Sequence, residues 1–319
     1  MIRMNDPMVT VLFITYNHAR FVRKALESIL MQQTTFSYKI IIGDDRSTDG
    51  TREIIKEIAM LHPDKIILSN PDKNIGPAKN FIQLLTACQN SNARYIAYLE
   101  GDDYWTDAAK LQKQVDFLEA NPDFSICFHK AKIEYEEGVA AFYPDINADT
   151  PEVTTIEDIS KGNYIHSPSI VFKNVLKGKP LPDWYETAFP GDWPLHVMNA
   201  CYGKIMFMQN EMCVYRIHTN GLYSTKRKEH NLSKYLPTIK NVAIYLKAQY
   251  PAINKKVMRS YEVAYFYAIA LSNEQCKGRF ARSIIFLKSG FKLRSKKMIA
   301  LFWLPIIFGE KSDVIWHKF

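Results

Sequence analysis

What this 319-residue chain lacks narrows the field first. Its five cysteines (Cys88, Cys127, Cys201, Cys213 and Cys276) are odd in number and include no C-x-x-C pair. That argues against a disulfide scaffold or a zinc knuckle and suits a reducing compartment. No apolar run approaches the ~20 residues that span a bilayer. Met1–Met8 is polar and Val9–Ile14 is too short for the core of a secretory leader, so no signal peptide is expected. Internal repeats and low-complexity tracts are missing. So is a Gly-rich, basic loop after the first apolar run, where Tyr16-Asn17-His18-Ala19 stands instead.

What is present is ordinary for a globular protein: 47% hydrophobic and 23% charged residues, enough for a sizeable core. The net charge of +8 is uneven. From Lys226 onward 19 Lys/Arg face 5 Asp/Glu, a net +14, which leaves −6 for residues 1–225. The break suggests two tasks: a domain over 1–225 and a basic tail over 226–319.

Hydrophobic periodicity predicts strands alternating with helices. Val9–Ile14 is a continuous apolar run of the kind a buried parallel strand shows, and Ala19–Gln32 has helical spacing. A strand follows at Tyr38–Ile42, a helix at Arg52–Leu61, a short strand at Ile66–Leu68 and a helix near Ala78–Cys88. Tyr95–Leu99 is a fourth strand and Lys110–Glu119 a helix. Residues 124–190 are less regular, with strands near Ser125–Lys130 and Ser169–Phe172 and a polar loop around 144–153. A helix through Ala200, a strand pair (Ile205–Met208, Met212–Arg216) and helices near Lys234–Gln249, Lys255–Ser272 and Arg279–Phe291 complete the chain. This order implies a parallel sheet with right-handed crossovers, which binds ligands at the carboxyl ends of its strands.

Polar clusters stand at those ends. Tyr95–Leu99 stops at Glu100-Gly101-Asp102-Asp103, followed by Tyr104-Trp105. Packed carboxylates repel one another, and burying them is costly unless a cation or hydrogen-bond donors compensate. One acid is explained by capping the next helix, a role Thr106-Asp107 fills equally well, but capping does not explain three.

Five segments in this order resemble the inverting nucleotide-sugar glycosyltransferases of family 2. They are Phe13–Asn17, Ile42–Thr51, Asn74-Ile75-Gly76, Tyr98–Trp105 and Gly191-Asp192-Trp193, and the resemblance runs from residue 9 to about 223. It implies an α/β GT-A fold, a Rossmann-like, mostly parallel sheet flanked by helices, here with a helical, basic C-terminal extension. It also implies transfer of a sugar from a nucleoside diphosphate, UDP before dTDP, with Mn²⁺ or Mg²⁺ at the diphosphate.

By the same resemblance Asp102 is the metal ligand, at the second acidic position of the D-x-D pattern. Glu100 stands at the first, where Asp is usual, and Asp103 is a helper. Thr15, Tyr16 and Asn17 face the nucleotide, Asp45 takes the uracil imide N–H, and Lys79 faces the diphosphate. Asp192 is the general base, its first-turn position favouring the ionised form. His218, after the last strand, completes the metal site or touches the diphosphate, with Arg216 assisting. Trp105 and Trp193 are either sugar platforms or buried core. An Asx-turn is the plain reading of Asp49-Gly50, and His18 and His196 have only a structural one.

The tail interleaves Lys277, Arg279, Arg282, Lys288, Lys292, Arg294, Lys296 and Lys297 with Phe280, Ile284, Ile285 and Phe291. A short apolar run, 298–308, follows. That pattern suits an anionic membrane surface, or a helical appendage with a solvated basic face; no nucleic-acid motif accompanies it. The expected setting is surface-polysaccharide assembly on a saccharide or lipid-linked acceptor, in the cytoplasm and peripheral to the plasma membrane. Two rivals are a nucleotidyltransferase and a non-catalytic sugar- or membrane-binding protein.

Overall fold

A computed structural model describes residues 6–69, 71–139, 146–219, 221 and 228–272, without the side chains of 228–233 and 263–272. These residues fall into two compact units, one within Met1–Thr187 and Gly191–Thr225, the other within Ala188–Pro190 and Lys226–Phe319.

The first unit opens with β1 (Val9–Thr15), α1 (Val22–Leu30), β2 (Tyr38–Asp44), α2 (Thr51–Leu61), β3 (Ile66–Leu68), α3 (Pro77–Asn90) and β4 (Tyr95–Glu100). Next come β5 (Tyr104–Trp105), α4 (Lys110–Ala120), β6 (Phe124–Tyr135), β7 (Val153–Thr154) and α5 (Ile156–Ile159). The unit ends with β8 (Val171–Lys173), α6 (Asp192–Ala200) and β9 (Lys204–Ile217). Its nine described strands form one sheet in the order β3-β2-β1-β4-β8-β6-β9-β5, with β7 on β9.

β1, β2 and β4 read as unbroken apolar runs because helices cover both faces, and Val9, Val11, Phe13, Ile40, Ile42, Ala97 and Leu99 have no exposed surface. α1 turns Ala25, Leu26 and Ile29 into the same core. Parallel register sets Thr15 beside Asp44 and Ile14 beside Glu100, so the polar residues after all three strands emerge on one edge. Gly43 is where α3 seats on β2: a Cβ there would meet the Leu84 side chain and lie 2.7 Å from Asn80 Oδ1. Gly43→Ala is expected to cost about 1–3 kcal/mol by overpacking, read as a lower urea midpoint with an unchanged slope.

Beyond β4 the sheet is mixed. β8 is antiparallel to both β4 and β6, and β5 and β7 are antiparallel to β9. The expected final strand pair is instead one 14-residue strand, β9. The exposed run Gln209-Asn210-Glu211, which reads as a turn, sits opposite an irregularity: His129 pairs with Met208, Lys130 with Glu211 and Ala131 with Cys213. A bulge absorbs the extra residues and β9 continues in parallel with β6.

In the second unit α7 (Lys228–Leu246) and α8 (Pro251–Ser272) bury Leu236, Ile239, Val242, Ala243 and Leu246 with Ile253 and Val257. Asn254 Nδ2 donates to the Ala243 carbonyl at 2.6 Å. No described helix is long and apolar enough to cross a membrane. The expected helix at Arg279–Phe291, the basic run 277–297 and the apolar run 298–308 lie outside the described residues.

Candidate functional site

The loops after β1 and β2 are stitched together. Asn17 adopts a left-handed conformation (φ 54°), and three consecutive amides bond to side chains of the other loop. Asn17 N–H donates to Ser47 Oγ (2.8 Å), His18 N–H to Thr51 Oγ1 (2.8 Å) and Ala19 N–H to Asp49 Oδ2 (2.9 Å). Asp49 Oδ1 accepts from Thr51, the local turn expected of Asp49-Gly50. Thr48 N–H donates to Asn17 Oδ1 at 2.9 Å, so Asn17 holds the loops, while Tyr16 beside it is 45% exposed.

Asp45 is buried and accepts the amides of Ile75 (2.8 Å) and Gly76 (2.9 Å), fixing the turn before α3. An ionised carboxylate has about four acceptor positions, so these two bonds leave room for a third donor. Lys79 stands exposed on the first turn of α3.

The acidic turn after β4 divides its three carboxylates between different partners. Glu100 Oε1 accepts the Tyr98 hydroxyl (2.8 Å). Burial, then the charge of Asp102, pushes the Glu100 carboxyl up to about 8. Asp103 is 1% exposed, and its Oδ1 accepts the Arg216 amide (2.8 Å). Burial and the charges of Asp102 and Glu100 raise it well above the usual carboxylate range. Asp103 Oδ1 therefore ties β9 to the turn, while its Oδ2 is buried without a hydrogen-bond partner on the side of Glu100 and Asp102. Asp103 does not cap α4; Asp107 holds that turn through the Ala109 amide (2.8 Å). Arg216 is likewise committed: Nη1 donates to the Asp102 carbonyl (2.6 Å), Nε meets Glu134 Oε1 (3.2 Å), and the guanidinium lies over Phe21 and Tyr104.

Asp102 is the acid of the turn that faces imidazoles. His218 Nε2 is 3.0 Å from its Oδ2 and His18 Nε2 is 3.8 Å away. Burial pushes the Asp102 carboxyl up, but His18 and the His218 hydrogen bond outweigh it and hold the group below its ordinary value. Asp102 Oδ1 and His218 Nδ1 are buried without a hydrogen-bond partner. Donor atoms of His18, Asp102 and His218 lie within 4.8 Å of one another, as do those of Glu100, Asp102 and Asp103. Orphaned donor atoms among crowded acids fit a divalent cation, and oxygen with imidazole donors suits Mn²⁺.

Asp192 begins α6. Its Oδ1 accepts the Trp193 amide (2.8 Å) and its Oδ2 the Asn163 side-chain amide (2.8 Å). One turn on, His196 Nε2 is 3.9 Å from Oδ2; burial holds this imidazole down to about 3, so it is neutral. The helix start favours an ionised Asp192, but burial outweighs it and pushes the carboxyl up to about 6. The Asp192 charge acts on both Glu100 and Tyr98, which puts it in electrostatic reach of the acidic turn.

The structure decides between the two readings of the tryptophans and revises that of His18. Trp105 and Trp193 are buried at 1% exposure, their indole N–H groups donating to the carbonyls of Pro168 and Ile159, so neither is a sugar platform. His18 is not an isolated side chain but faces Asp102, whereas His196, fully buried and neutral beside Asp192, keeps its structural reading. Asn163 carries no signal in the sequence, since it lies 29 residues before its partner in an irregular stretch.

Comparison with known proteins places this geometry. The sheet order and flanking helices match Staphylococcus aureus TarS, solved with UDP-GlcNAc, at a TM-score of 0.64 over 96% of this chain and 87% of that one, with 16% identity. That likeness establishes the GT-A fold. An uncharacterized protein of Mycobacterium tuberculosis is 34% identical over 229 residues, which are 69% of this chain and 63% of that one. The match thus spans less than two thirds of that relative's length. A Bacillus subtilis protein, TuaG, provisionally named a teichuronic acid biosynthesis glycosyltransferase, is 27% identical over 70% of this chain and 84% of its own. The model of glycosyl transferase family 2 matches residues 10–173, from β1 through the acidic turn to β8, and the chain belongs to that family.

Proposed function

We propose that the chain is an inverting, metal-assisted glycosyltransferase that moves a sugar from a nucleoside diphosphate to a saccharide or lipid-linked saccharide. The observation behind this reading is that two carboxylates, one in the acidic turn and one at the start of α6, are prepared differently by their surroundings. Asp102 is held ionised beside imidazoles, while Asp192 is raised to about 6 and its charge reaches Glu100 of the same turn. Environments that push acid groups apart in this way mark separate charge-stabilising and proton-transfer roles.

In the proposed step Asp192 takes the proton of an acceptor hydroxyl. The oxygen forms its bond to the anomeric carbon as the bond from that carbon to the diphosphate breaks, and the diphosphate leaves with the electron pair. One displacement inverts the carbon. Asn163 and the Trp193 amide hold the Asp192 carboxylate in place for it. A divalent cation at Asp102 and His218 would stabilise the charge on the departing diphosphate. Tyr16 offers a ring to the base, and Asp45 offers an acceptor to a pyrimidine imide N–H, which favours UDP over purine donors. Lys79, exposed on the first turn of α3, is the candidate cation for the diphosphate.

TuaG, by its name, and the basic tail support surface-polysaccharide synthesis at the cytoplasmic face of a membrane. A nucleotidyltransferase is disfavoured by the lack of a Gly-rich, basic loop after β1, and a purely binding role by the partition of the acids.

The pH profile of transfer is the test. A base must be ionised, so kcat/KM is expected to fall about tenfold per pH unit below about 6, as Asp192 takes up its proton, and to level off above. A profile flat from pH 5 to 8 would remove Asp192 from the base role.

A further inference from the structure

We propose that His18 is a third protein ligand of the cation, which is then held by two imidazoles and one carboxylate and is Mn²⁺ in preference to Mg²⁺. This rests on the metal-assisted reading above and adds to it a residue and an ion preference.

His18 is placed, not loose. The amides of residues 17 to 19 are all anchored to the β2–α2 loop. Nδ1 lies 3.1 Å from Thr15 Oγ1; with Nδ1–H donated to that hydroxyl, the Nε2 lone pair is free on the Asp102 side. Such a bond on the far nitrogen is how ligating imidazoles are normally oriented. The separation of 3.8 Å between His18 Nε2 and Asp102 Oδ2 is too long for a hydrogen bond. It matches two donors sharing one ion, since metal–donor bonds of about 2.0–2.2 Å put neighbouring ligand atoms about 3–4 Å apart.

Gly101 supports the same arrangement. A Cβ there would collide with Thr15 Oγ1 and lie 2.9 Å from His18 Nδ1, so the turn that carries Asp102 approaches His18 only because residue 101 has no side chain. The two imidazoles are edge-on, 6.2 Å between centroids, and both pack against Phe21. The acids left partly unsatisfied, and the unpaired Asp102 Oδ1, are what an ion at this point would meet.

The donor set decides the ion. Mg²⁺ prefers an all-oxygen octahedron and sheds water reluctantly, whereas first-row transition ions accept imidazole nitrogen. Mn²⁺ is therefore expected to bind the full-length protein about 10–100-fold more tightly than Mg²⁺, and His18→Gln to lower Mn²⁺ affinity by about tenfold or more.

Mn²⁺ titration followed by electron paramagnetic resonance, with pulsed detection of ¹⁴N couplings, tests this without turnover. Wild type is expected to show two nitrogens on Mn²⁺, and H18Q and H218Q one each. D102N is expected to bind none. Thr15→Val keeps the imidazole but removes its orienting hydroxyl, and a weakened His18 coupling in T15V is expected even if H18Q proves unstable. Unchanged affinity and two nitrogen couplings in H18Q, or unaltered coupling in T15V, would overturn the His18 assignment while leaving the Asp102 site standing. No Mn²⁺ binding by wild type would overturn the metal-assisted reading itself.

Discussion

Asp192→Asn is expected to cut sugar transfer by about 10²–10⁴-fold, the range a positioned general base supplies, with metal-dependent UDP binding unchanged. The substitution is close to isosteric. Its carbonyl oxygen accepts either the Trp193 amide or the Asn163 side chain, but not both, because the new NH₂ must face one of these donors. A small loss of stability, about 1–3 kcal/mol, accompanies that mismatch. Activity should fall far more than the melting temperature suggests. Steady-state kinetics beside UDP titration separates the two: full activity in D192N removes the base, and loss of UDP binding shows that the site has rearranged.

Asp102→Asn is expected to abolish metal-dependent nucleotide binding and to lower kcat/KM by about 10³-fold or more, since charge stabilisation at the leaving group is usually the largest catalytic term. Asp103→Asn is the control. Asp103 is buried and accepts the Arg216 amide through Oδ1, so an amide side chain keeps that acceptor. D103N should retain metal-dependent binding within a few-fold. Equal losses in both variants would mean that the acidic turn acts as an undivided cluster. Titration of Mn²⁺ and UDP by calorimetry reads the difference directly.

Much of the first half was legible because parallel strands covered on both faces must be apolar throughout. Val9–Thr15, Tyr38–Asp44 and Tyr95–Glu100 announce themselves as unbroken runs, and their carboxyl ends carry the polar clusters. The mixed half was less so. β6 extends to Tyr135, past the six residues expected, because its second half is only partly buried and its Lys130, Lys132 and Glu134 resemble a solvated loop. β9 survives an exposed polar run only through a bulge against β6, which no local periodicity encodes.

At the candidate site, the sequence singles out Asp102 and Asp192 but not what distinguishes each from its neighbours. A strand end crowded with acids does not reveal that Asp103 turns inward to the backbone of Arg216, or that Glu100 pairs with Tyr98. His18 looked structural because its partner is 84 positions away; the parallel register of β1 and β4, with Gly101 permitting close approach, brings them together. Lys110, an ordinary helix-opening residue in sequence, is fully buried with its ammonium 4.1 Å from the Trp105 ring centroid.

The most direct test of a metal-assisted nucleotide-sugar transferase is release of nucleoside diphosphate from a panel of nucleotide sugars, with Mn²⁺, Mg²⁺ or chelator. Turnover of at least one UDP- or dTDP-sugar with Mn²⁺, and none with chelator, is the predicted result. No turnover of any donor, together with no metal-dependent nucleotide binding, would contradict it.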